Sequence, residues 1–69
     1  MTKIKVTAFR RGEAPRVLEP LFEDGSFAYF CSTYVRLAVL ENRPFSYEDG
    51  ILYISSGKDN SLTLAYKEL

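Results

Sequence analysis

Residues 24–43, DGSFAYFCSTYVRLAVLENR, form the longest stretch in the chain with a consistent period. At 3.6 residues per turn, Phe27, Phe30, Cys31, Tyr34, Leu37 and Ala38 fall on one face, the spacing of a helix that buries one side. Asp24 or Ser26 is placed to cap the first free N–H groups. Pro44 cannot continue the helix and biases Arg43 out of helical geometry. Arg43 also suits the negative end of the helix dipole. A rival reading takes Tyr34–Leu40 as alternation, with Val35, Leu37 and Val39 on one side. Residues 27–40 contain no Gly, Pro, Asn or Asp to turn a hairpin, which favours the helix.

The rest of the chain reads as strands. Lys3–Phe9 alternates, with Ile4, Val6 and Ala8 against Lys3, Lys5 and Thr7. Arg10–Pro15 is a turn in which Gly12 supplies positive φ. Arg16–Phe22 reads as an irregular edge strand, because Pro20 has no N–H to give a ladder and belongs at an edge or a bulge. In FSYEDGILYI, Asp49-Gly50 separates two β-rich runs, a strong type I′ hairpin signal. A two-residue loop sets Tyr47 opposite Leu52 and Phe45 opposite Ile54. Ile51–Ile54 is apolar throughout, as a central strand would be. Ser55–Ser61 is a turn cluster, and Leu62–Lys67 alternates cleanly. The expected fold is α+β: a single domain, residues 1–69, with one helix (about 24–43) on an antiparallel sheet of four or five strands. The element order is expected to be β-β-α-β-β or β-α-β-β-β. Candidate inner-face residues are Ile4, Val6, Leu62, Leu64 and one parity of Ile51–Ile54.

Size then limits stability. A chain of 69 residues rarely draws more than about 3–5 kcal/mol from its core alone. One cysteine excludes an internal disulfide, and one cysteine with no histidine argues against structural zinc. No cofactor is implied. The expected supplement is another surface: a second copy, making a homo-oligomer, or a different protein. The lone thiol suits a reducing interior, no signal peptide is evident, and no apolar run reaches the ~20 residues of a membrane span. The expectation is therefore a cytoplasmic protein with no membrane contact.

Few residues suggest chemistry. Without histidine there is no imidazole base or Ser-His-Asp triad. Cys31 lies about two turns into the helix on its apolar face, where a thiol is ordinarily structural. Glu48 and Asp49 are adjacent carboxylates, but the turn already accounts for Asp49. Ser56-Gly57-Lys58 hints at a phosphate loop, yet that motif needs a further glycine where Leu52 stands. No enzymatic activity is expected.

Two binding readings remain. On the helix's outer face Tyr29, Ser32, Arg36 and Arg43 form a stripe, with Val39 and Leu40 beside it. A solvated face with scattered apolar residues needs no function. Val39 and Leu40, however, extend apolar cover nearly all round the last turns, as in a helix that docks. Tyr29, Arg36, Val39, Leu40 and Arg43 are accordingly the candidate protein-binding residues, and Tyr29, Tyr47, Tyr53 and Tyr66 are candidates for partial exposure. Occlusion of a partner, as in small phage- or mobile-element-type inhibitors, fits by analogy of size. The alternative is a single-stranded nucleic-acid or nucleotide binder in which Lys3, Lys5, Arg10 and Arg11 track phosphates beside exposed aromatics. The formal net charge of zero gives it no global field.

Overall fold

The structure is a computed structural model that describes residues 2–56 and 61–69. Gly57 and Lys58 of the phosphate-loop reading, and the centre of the Ser55–Ser61 turn, lie outside the described residues. The order is β1 (Thr2–Arg10), β2 (Arg16–Glu23), α1 (Phe27–Leu40), β3 (Phe45–Glu48), β4 (Ile51–Ser55) and β5 (Leu62–Glu68). The strands form one antiparallel five-stranded sheet in the order β2-β1-β5-β4-β3, with α1 on one face. The α+β class holds. The element order ββαβββ has one strand more after the helix than ββαββ allows.

Local chemistry explains most of the elements. β1 and β2 pair from Thr2↔Glu23 to Ala8↔Arg16, with a bulge between Ile4 and Val6 that absorbs Glu19 and Pro20. Gly12 turns the connection at φ 80°. In the β3–β4 hairpin Asp49 (φ 51°) and Gly50 (φ 77°) both take positive φ, as a type I′ turn requires. Tyr47 meets Leu52 and Phe45 meets Ile54.

The helix is shorter than its expected span of 24–43. Ser26, not Asp24, is the N-cap, its Oγ accepting from Tyr29 N at 3.1 Å. The helix stops before Pro44 acts. Asn42 takes φ 56°, its N–H reaches the Val39 carbonyl at 3.3 Å, and Arg43 N reaches the Ala38 carbonyl at 2.8 Å. This is a Schellman ending, with Asn in the left-handed position that Gly more often fills.

The core lies between α1 and the middle strands. It comprises Ile4, Val6, Phe27, Phe30, Ala38, Leu52, Ile54 and Tyr66, with Cys31, Tyr34, Val35 and Leu64 partly buried against it. Phe30 stacks on Tyr34 at 4.3 Å between ring centroids, and Tyr66 closes the cluster 5.2 Å from Phe30. Tyr66 is therefore buried rather than partly exposed. Leu37, at the edge of the expected inner face, is exposed. Leu62 and Leu64 are only half-buried, because the core covers β1 and β5 around Ile4, Val6 and Tyr66 and does not extend to the ends where Leu64 pairs with Ala8 and Leu62 with Arg10.

Leu52 and Leu40 test this placement. Leu52 is fully enclosed and Leu40 is 73% exposed. Leu52→Ala is expected to cost about 3 kcal/mol and Leu40→Ala under about 0.5 kcal/mol, measured by urea unfolding. Equal costs would contradict the packing.

Candidate protein-binding surface

The helical period carries Tyr29, Arg36 and Leu40 to the side of α1 away from the sheet, and all three are exposed. Val39 is exposed about 100° round the helix from Leu40, toward the β3 side. Arg43 does not join them. The Asn42 turn takes it off the helix, where it is half-buried, with Nε 3.2 Å from Glu41 Oε2. That contact lacks hydrogen-bond geometry, and the buried Nε has no hydrogen-bond partner. Of the five candidate binding residues, the structure thus leaves an exposed Tyr29–Arg36–Leu40 ridge with Val39 at its flank.

A second apolar surface lies beside it. One helix does not span the sheet's inner face, and the β3 margin is left open. Between α1 and β3 runs a cleft of about 570 Å³. Ala28, Cys31, Ser32 and Val35 line its helix side, Tyr47 its strand side, and Glu68 sits at one end. Phe45 (43% exposed) and Tyr47 (57%) belong to the same sheet face as the fully buried Leu52, yet stay accessible because none of the described residues covers them. Cys31 is half-buried here rather than sealed in the core. Desolvation by burial, helped by the Glu68 carboxylate, pushes its thiol pKa up. A raised pKa leaves less thiolate at neutral pH, the opposite of what a nucleophile needs.

The basic residues divide between the two faces. Lys3 and Lys5 point to the helix-free face, where Lys5 pairs directly with Lys67 and the Lys3 ammonium lies 5.4 Å from the centroid of the Phe22 ring. Arg10 pairs with Leu62 on the opposite face and contacts Glu13 at 3.8 Å. Arg11 follows the strand, its N–H bonded to the Ser61 carbonyl at 3.1 Å. Arg10 and Arg11 come together with Phe9, Ser61 and Thr63 around a pocket at the end of β1, apart from Lys3 and Lys5.

Glu48 and Asp49 sit at the hairpin tip, exposed, with Asp49 serving the turn. Among the described residues no three His, Cys, Asp or Glu side chains gather as metal ligands would, and no helix is long and apolar enough to cross a membrane. Phe45, Val35 and Cys31 were not singled out as binding residues. The hairpin register put Phe45 and Tyr47 on one face, but only the strand order shows that this face is an uncovered margin. Comparisons of the chain with protein-family models, with curated proteins and with solved structures give no match.

The cleft's electrostatics can be measured. Alkylation of Cys31 by iodoacetamide, followed across pH, is expected to report an apparent pKa above that of a free cysteine. Glu68→Gln removes the neighbouring negative charge and is expected to lower that pKa and speed the reaction at a given pH. A wild-type value at or below the free-thiol range would place Cys31 elsewhere.

Proposed function

We propose that this protein is a non-enzymatic interaction module that works by burying apolar surface against another protein chain, either a different protein or a second copy. The observation that carries the reading is the uncovered β3 margin. Phe45 and Tyr47 stand 43% and 57% exposed on the core-facing side of the sheet, and Tyr47 lines the cleft with Cys31 and Val35 of α1. The Tyr29–Arg36–Leu40 ridge adds the Tyr and Arg side chains that serve as interface anchors. In such a role the chain makes or breaks no bond; it occludes or scaffolds what it covers. The single free cysteine and the absence of a membrane-crossing helix among the described residues suit a cytoplasmic setting.

A second reading rests on the helix-free face. Lys5 directly opposite Lys67 is a like-charge pair that weakens a sheet unless an anion lies over it. Phe22, Phe9 and Tyr53 are on the same face, where nucleic-acid bases could stack. We favour the protein-binding reading. The lysines remain hydrated on an open face, whereas exposed aromatic surface in the cleft has no such relief.

Capture with tagged chain separates the two. The protein reading expects a stoichiometric protein, or a second untagged copy, that survives nuclease treatment. Tyr47→Ser or Leu40→Ser should weaken it at least about tenfold, as loss of an interface anchor does, and Lys5→Glu should not. Nuclease-sensitive capture that falls steeply with salt and with Lys5→Glu would overturn it in favour of the second reading.

A further inference from the structure

The two margins of the sheet differ in how they are guarded. β2 carries Pro20 and a bulge, both of which hinder pairing with another strand. β3 has neither: its register with β4 is continuous from Phe45↔Ile54 to Glu48↔Ile51. Among the described residues no strand lies on its free side.

The outward backbone groups of β3 follow from the hairpin. A two-residue loop closes on a hydrogen-bonded pair, here Glu48 and Ile51. Alternation then turns Ser46 toward Tyr53. The bond from Ser55 N to the Pro44 carbonyl, 2.9 Å, continues the inward series. Phe45 and Tyr47 are left with N–H and C=O directed away from the sheet.

We propose that a second copy of this chain docks on this edge, β3 against β3, antiparallel about a two-fold axis. Phe45 of each copy lies opposite Tyr47 of the other, and Ser46 opposite Ser46. The inference deepens the protein-binding reading and rests on it. The register is self-complementary. It uses all the outward donors and acceptors of Phe45 and Tyr47, giving four backbone hydrogen bonds. It faces ring against ring on the cleft side, and it sets Glu48 opposite Pro44, so the two Glu48 carboxylates do not meet. A chain of zero net charge meets no long-range repulsion from its copy.

Surface area points the same way. The chain exposes 5001 Å², whereas a folded monomer of 7.9 kDa is expected to expose about 4,400 Å². The excess is about 600 Å² per copy, and the exposed Phe45 and Tyr47 rings are part of it; an interface that removed all of it from two copies would bury about 1,200 Å², the lower end of what stable interfaces bury.

Disulfide trapping tests the register. In a non-hydrogen-bonded antiparallel pair the facing Cα atoms are about 4.5 Å apart, within disulfide range. In a Cys31→Ser background, Ser46→Cys is expected to give a covalent dimer under mild oxidation, and Glu48→Cys is not. By light scattering, the unmodified chain is expected to move from 7.9 kDa toward twice that mass between about 10 μM and about 1 mM. Tyr47→Pro removes an outward N–H without touching the β3–β4 ladder. It should hold the mass at 7.9 kDa while amide NMR spectra show the sheet intact. A mass of 7.9 kDa throughout, with no Ser46→Cys dimer, overturns the second copy as occupant. If Tyr47→Ser still abolished capture of a different protein, the interaction reading would stand and the edge would belong to that protein's extended segment. A dimer that survives Tyr47→Pro would place the interface elsewhere and also overturn the proposal.

Discussion

One helix is too narrow for the sheet beneath it. An α-helix with its side chains is about 10–12 Å across, while five strands spaced about 4.8 Å apart extend about 19 Å between the outer two. α1 lies over the three middle strands, and what it covers becomes core: Leu52 and Ile54 of β4, Tyr66 of β5, and Ile4 and Val6 of β1. What it leaves uncovered is still apolar, because strand alternation does not know where the helix stops. At one margin this gives Phe45 and Tyr47, and at the other Leu18 and Leu21, all on the helix side of the sheet and all exposed. The mismatch in width accounts for the small core, the open cleft and the surplus of exposed surface together.

The sequence exposes some of this plan and hides the rest for physical reasons. Signals that act within a few residues were readable. Asp49-Gly50 dictates its turn and register, Pro20 marks an edge with a bulge, and Leu62–Lys67 alternates as a half-covered strand does. Signals that depend on distant partners were not. Nothing local says that β1 lies between β2 and β5, so nothing local says that β3 is an edge. Tyr66 shows the same limit: its place in the alternation is clear, but its burial depends on Phe30 and Tyr34 arriving from the helix.

The candidate site divides along the same line. Tyr29, Arg36 and Leu40 face outward because the helical period is local and persists from Phe27 to Leu40. Arg43 leaves that face because the period ends at Asn42, whose left-handed turn changes the direction of the chain. Lys3, Lys5, Arg10 and Arg11 look like one basic run in one dimension. Strand alternation sends Lys3 and Lys5 to one face and Arg10 to the other, and brings Lys67 to Lys5 from the far end of the chain.

The two margins are open to different degrees, and the difference decides what each can do. At β2 the apolar side chains are exposed but the backbone is guarded: Pro20 lacks a donor and the bulge disturbs the spacing that a new strand would need. Contact there must go through side chains. At β3 both side chains and backbone are available, so a strand docked there as proposed would satisfy hydrogen bonds and cover rings in one step. Backbone pairing fixes register, while the cleft beside it selects what can fill the space between strand and helix. Glu68 at the cleft's end disfavours an acidic side chain at that point, and the raised Cys31 pKa keeps the adjoining wall neutral. If it binds as proposed, a margin of this kind would distinguish its occupants by shape and hydrogen bonding, with little help from net charge, since the chain's own charges sum to zero.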